Sequence, residues 1–229
     1  MIGIIGAMRV EIEALKNSLE GAETITISGI DYYRGMLDGQ KVVAAVSGVG
    51  KVFAAVCAQT MILRFGVEAI INTGVAGGIG KDISLGDFVI ASKLCQHDMD
   101  TSGVGDPKGL VSGINKVYFE TEPRYREAAL KAAEKLGFRA QIGTIASGDQ
   151  FVCDAERKHW IRDFFDAAAV EMEGAAIAQV CFINEIPFVV IRAISDDASG
   201  YAPVSYDSFV KEAAAKSIQL TRAAIAELV

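Results

Sequence analysis

The stretch Phe188-Val189-Val190-Ile191-Arg192-Ala193-Ile194-Ser195-Asp196 runs apolar without alternation, is broken once by an arginine and is closed by a carboxylate. A strand with one wet face alternates polar and apolar side chains with a period of two, whereas a strand covered on both faces does not. The run therefore predicts a buried central strand. Ile2–Ile5, Ala69–Asn72, Asp87–Ser92 and Ala140–Ala146 repeat the pattern, with a shorter strand at Ala168–Glu171. Helical spacing fills the intervals at Glu11–Leu19, Lys51–Arg64 (stopped by Gly66), Pro123–Leu136, Ala155–Phe164, Gly174–Asn184 and Tyr206–Leu228. Thr24–Ser28, Tyr32–Leu37 and Lys41–Ser47, separated by Gly29, Asp38 and Gly39, read as an antiparallel meander. The expected fold is α/β: one domain over residues 1–229, three layers (αβα) deep, with a central mixed β-sheet. Asp98–Asn115 breaks the rhythm with four glycines and a proline, a loop long enough to be functional.

The 229 residues are 51% hydrophobic and 22% charged, a globular balance that argues against a disordered or fibrous chain. With 22 basic and 29 acidic residues the net charge is −7, which repels nucleic-acid backbones and anionic membranes but not a neutral nucleoside. Cys57, Cys95, Cys153 and Cys181 are dispersed, and His97 and His159 are the only histidines. No spacing suits a zinc site, so the cysteines read as buried reduced thiols. The first residues lack a basic leader, and no apolar run reaches the roughly 18 residues of a membrane span. A cytoplasmic protein is expected.

Two glycine motifs fail on inspection. Ser47-Gly48-Val49-Gly50-Lys51 has Ala45 and Val52 where a phosphate-binding P-loop needs Gly and a hydroxyl residue. Phe53 stands where a dinucleotide fingerprint needs its third glycine. These glycines, and the cluster Gly74, Gly77, Gly78 and Gly80, suit close ligand approach and tight turns equally. Charged residues at strand–helix junctions carry more information. Glu171 and Glu173 in Val170-Glu171-Met172-Glu173-Gly174 share one side of an extended backbone, and solvation at a strand end would also explain them. Arg192, inside an apolar run, needs an anionic partner or a cavity. Asp196 ends a strand, where either catalysis or helix capping would use it. Glu11 follows Gly6-Ala7-Met8, where compensation of a helix dipole is the simpler role. Together, four acids at the junctions of one α/β fold outline a pocket beyond the carboxyl ends of the strands.

The chain resembles the bacterial 5′-methylthioadenosine/S-adenosylhomocysteine nucleosidases of the nucleoside phosphorylase/hydrolase superfamily. The resemblance rests on Ile4-Ile5-Gly6-Ala7-Met8 with Glu11, Ser47-Gly48-Val49-Gly50-Lys51-Val52, Asn72-Thr73-Gly74 with Ala76-Gly77-Gly78, Ser147-Gly148-Asp149 with Phe151, Val170-Glu171-Met172-Glu173, and Arg192-Ala193-Ile194-Ser195-Asp196. These segments occur in the family's order across nearly the whole chain. The resemblance implies hydrolysis of an adenine N-glycosidic bond through a ribose cation like an oxocarbenium ion. It assigns Asp196 as the acid protonating adenine N7; such a donor must keep its proton near neutral pH, which burial favours. It assigns Glu11 as the base holding the attacking water, with Arg192 fixing the geometry. Glu173 would clamp the ribose hydroxyls with Met172 packed on the sugar, and Glu171 would stand behind them. Phe151 would stack on adenine, Val152 would read the base through its backbone, and Tyr206 would lie beside the 5′ substituent. Met8, Val49, Val75, Gly77 and Ser195, which lie in or beside the same segments, complete the substrate-binding set. The resemblance also implies a homodimer with a small-molecule nucleoside substrate, needing no metal or organic cofactor.

Two departures are visible. Val75 replaces the family's usual serine, whose hydroxyl helps hold the water. The loop after His97-Asp98, which in the family supplies aromatics to a neighbouring subunit's 5′-alkylthio pocket, has none between Asp98 and Gly113. Other 5′-substituted adenosines are therefore alternatives to methylthioadenosine. Phosphorolysis, which the superfamily also contains, is the rival chemistry; it needs a basic phosphate cradle, for which Arg9 is the one nearby candidate. A binding module without catalysis is the third reading, disfavoured by the retained acids.

Overall fold

A computed structural model of the chain describes residues 1–196 and 206–228, with the side chains of 206–208 outside the described set. The strands are β1 (Ile2–Gly6), β2 (Glu20–Ile27), β3 (Ile30–Leu37), β4 (Gln40–Val46), β5 (Ala69–Gly78), β6 (Phe88–Gln96), β7 (Phe119–Glu120), β8 (Ala140–Ser147), β9 (Ala167–Glu171) and β10 (Phe188–Asp196). The helices are α1 (Glu13–Asn17), α2 (Lys51–Phe65), α3 (Pro123–Leu136), α4 (Ala155–Phe165), α5 (Gly174–Ile183) and α6 (Tyr206–Ala226).

The ten strands form one mixed sheet in the order β10-β6-β8-β9-β5-β1-β4-β3-β2, with β7 on β6. The meander β2–β3–β4 is antiparallel as the turn residues imply, and β4 returns parallel to β1. Unbroken apolar strands work here because consecutive residues feed opposite cores. Ile5 and Val190 pack with α2 and α5, while Ile4, Val189 and Ile191 pack with α3 and α6. Each face is sealed by helices, which gives the three layers.

Three features depart from the sequence expectation. β10 pairs with β5 as well as β6, so β5, β10, β6, β8 and β9 close into a small barrel. A register shift between Ile194 and Asp196 accompanies that closure, as bulges commonly do at barrel rims. The expected helix Glu11–Leu19 is also split into a 3-10 turn at Arg9–Glu11 and the short α1. The Glu11 side chain bends back onto the backbone N–H groups of Ala7 and Met8, which holds the chain in a tight turn before α1. Three of the cysteines are buried as expected, but Cys153 is exposed. The loop after His97 folds on itself: Asp106 accepts from the Thr101 and Ser112 hydroxyls, and Met99 O accepts from Gly109 N. It leans on α4, where Lys108 stacks over Trp160.

Candidate active site

Glu11 is buried, and its carboxylate accepts three backbone N–H bonds, from Ala7 (2.7 Å), Met8 (2.8 Å) and Val75 (3.0 Å). These donors come from the end of β1 and the middle of β5, so the sheet aims the carboxylate before any ligand arrives. Burial pushes the group above the usual carboxylate range, opposed by the Arg192 charge and by the N–H donors. Its position requires Gly74, because a Cβ there would stand 2.6 Å from Glu11 Oε1.

Glu171 ties the opposite wall together. It accepts the Ser147 hydroxyl and the N–H groups of Glu173 and Gly174 at the start of α5, and pairs with the fully buried Arg192 at 2.5 Å. Arg192 also donates to Asn72 Oδ1, whose amide in turn donates to Ile5 O. A buried cation is thus matched by a buried anion and an amide, the condition under which such groups are tolerated. Beside it, Glu173 accepts the Gly50 N–H at 2.8 Å. Burial and the Glu171 charge push Glu173 up to about 7, against the pull of Arg192 and Gly50.

Asp196 ends β10 at the register shift. Its Oδ1 lies 3.3 Å from the Ser195 hydroxyl, and its Oδ2 lies 3.2 Å from the Lys158 ammonium. The carboxylate fits over Gly77, whose missing Cβ would sit 3.0 Å from Oδ2. Gly74 and Gly77 are three residues apart on β5, so the anchoring points of the two carboxylates are separated by about 10 Å of extended strand.

Glu11, Glu173 and Asp196 face one cleft of about 380 Å³. Every site residue expected from sequence lines it except Arg192 and Tyr206. Arg192 lies behind the wall, on Glu171 and Asn72, so it reaches Glu11 only through its field. The Tyr206 side chain lies outside the described residues. Phe151 stands half exposed at the cleft, with Val152 beside it. The sequence reading missed Ala7, Ala76, Gln150 and Val170 in the lining, and Asn72, Ser147 and Lys158 as supports. For Lys158 a signal existed: it falls in register with Ile161 and Phe165 on the buried face of α4, where a hydrophobe is the ordinary choice. Among the described residues no Lys or Arg lines the cleft, and no residue of 98–113 reaches it.

A sequence profile of the phosphorylase superfamily matches residues 1–228. The 5′-methylthioadenosine/S-adenosylhomocysteine nucleosidase of Shewanella pealeana is 41% identical over 229 residues, covering 99% of both chains. The Neisseria meningitidis nucleosidase of the same name, solved with methylthio-immucillin-A, superposes with a TM-score of 0.94 at 41% identity, covering 98% of this chain and 97% of that one. A Helicobacter pylori structure described as futalosine hydrolase superposes at 0.93 with 36% identity, covering 99% and 97%. The chain belongs to the phosphorylase superfamily and, within it, to the 5′-methylthioadenosine/S-adenosylhomocysteine nucleosidases. It is an N-glycosyl hydrolase that cleaves the glycosidic bond of an adenosine derivative.

Proposed function

We propose that the enzyme cleaves 5′-methylthioadenosine and S-adenosylhomocysteine to adenine and the thioribose, with Asp196 as acid and Glu11 as base. The observation that carries the reading is the pair of carboxylates, Glu11 packed over Gly74 and Asp196 over Gly77, open to one cleft. The two acids share the lining of a cleft of about 380 Å³, large enough to take a nucleoside between them. Asp196 gives its proton to adenine N7 as the C1′–N9 bond breaks, and Glu11 takes a proton from the water that adds to C1′. Glu173 holds the ribose hydroxyls with Met172 against the sugar, Phe151 stacks on the base and Val152 reads it. Val75, without a side-chain donor, serves by its N–H on Glu11. Arg192 tunes Glu11 from behind, and Tyr206 flanks the 5′ group. The absence of a cation from the described cleft lining favours water over phosphate as the nucleophile. In phosphate-free buffer adenine and free sugar accumulate together; ribose-1-phosphate formation, rising with added phosphate, refutes this. Glu11→Gln and Asp196→Asn each lower kcat by about 10²–10⁴-fold, read by adenine release.

The loop 98–113 holds no aromatic, and one structural relative is described as a futalosine hydrolase. A second reading, preference for a different 5′ substituent, follows from these two facts. A panel of adenine nucleosides varied only at the 5′ position separates the readings by kcat/KM. The assembly proposed is a homodimer. Support comes from α2, which leaves Val52, Phe53, Val56 and Leu63 exposed, and from α5, which packs beside it with Phe182 and Ile183 exposed. Four free thiols fit a reducing, cytoplasmic setting, and removal of these nucleosides fits methionine salvage.

A further inference from the structure

Lys158 is 2% exposed, on a face of α4 that otherwise buries Ile161 and Phe165. A lysine is almost never so buried unless its ammonium has a matched anion. α4 is fixed in register at its start, where Asp154 accepts the Arg157 N–H at 2.7 Å, so Lys158 follows one residue after the first turn. From there the side chain crosses to the end of β10 and meets Asp196 Oδ2 at 3.2 Å. Of the strands packed against α4, β9 ends in Glu171, and that carboxylate is committed to Arg192. Across the cleft stand Glu11 and Glu173, both held by backbone N–H groups. Among the described residues, Lys158 is the cation paired with Asp196.

We propose that Lys158 is a positioning residue for the proton donor: its ammonium fixes the Asp196 carboxyl at the cleft wall and balances the carboxylate left when the proton departs. This rests on the reading of Asp196 as the acid. The electron pair of C1′–N9 goes to the purine, the proton of Asp196 goes to N7, and a new carboxylate appears opposite the Lys158 side chain. The water that adds to C1′ loses its proton to Glu11, and nothing is oxidised or reduced. A fixed ammonium opposite the carboxyl holds it in one orientation in the substrate complex and offsets the negative charge that develops on it in the transition state. The neutral base and sugar gain little from it, and the effect therefore falls on kcat.

The test compares Lys158→Met, Lys158→Gln and Lys158→Arg with Asp196→Asn, using 5′-methylthioadenosine as the probe. Lys158→Met lowers kcat about tenfold or more with KM within about twofold, Lys158→Gln behaves alike, and Lys158→Arg restores most of the rate. A Lys158→Met or Lys158→Gln enzyme with wild-type kcat overturns the proposal, as does an arginine variant no better than the neutral ones. If Asp196→Asn keeps full activity, the acid assignment itself fails. If that variant is inactive while the neutral Lys158 variants turn over normally, this inference alone fails.

Discussion

Gly74 and Glu11 compete for one space, and the glycine's missing side chain is what lets the proposed base sit against β5. In Gly74→Ala the new Cβ would lie 2.6 Å from Glu11 Oε1, so the carboxylate must leave its three N–H donors. The expected result is a fall in kcat of about 10²-fold, because a positioned base is worth that much. Glu173 gives a second residue-scale prediction, with its sign set by burial. Its folded-state value of about 7 lies above the reference of 4.5, so the folded protein binds more protons between these limits. Stability then falls as pH rises from 4.5 to 7, by on the order of 2–3 kcal/mol for this group. Glu173→Gln removes that penalty. Urea unfolding at pH 5 and pH 8 should show the variant gaining on the wild type at the higher pH.

At the scale of elements, the junction between β9 and α5 is both a helix start and a wall of the site. Glu171 accepts the first N–H groups of α5 while its charge offsets Arg192 on β10, so one side chain joins a helix and two strands. Removing the charge leaves a guanidinium buried without its anion, which costs about 3–5 kcal/mol. Glu171→Gln is therefore expected to lower the urea midpoint at pH 8, where Glu173→Gln gains on the wild type, although both residues face the same cleft. The contrast separates a carboxylate that holds the fold from one that the fold holds at a cost.

At the scale of the whole molecule, the exposed apolar face of α2 lies next to the site. Val49 lines the cleft, and Val52 and Phe53 follow it on the surface, with Val52 73% exposed. A partner covering this face would also close the cleft on that side and help to exclude water. Light scattering of the wild type should give twice the chain mass. Val52→Asp combined with Phe53→Glu should give a monomer, with KM raised more than stability is lowered.

Much of this protein was legible in the chain. Strand runs without alternation already required a covered sheet, because a face left in water would carry polar residues; β10 and β1 needed nothing else to be recognised. Glu11, Glu171, Glu173 and Asp196 stood out because a carboxylate at the end of an apolar strand is costly without a purpose. Periodicity carries no record of which strands pair, so the closure of β10 onto β5 and the bulge that aims Asp196 were decided by tertiary packing alone. For the same reason Arg192 was found by its charge but not by its place behind Glu171, since burial depth is a property of the folded neighbours. The register of Lys158 with Ile161 and Phe165 marked it as a buried lysine, but its anion was set only when α4 was laid against the barrel, because Asp196 lies 38 residues further along the chain.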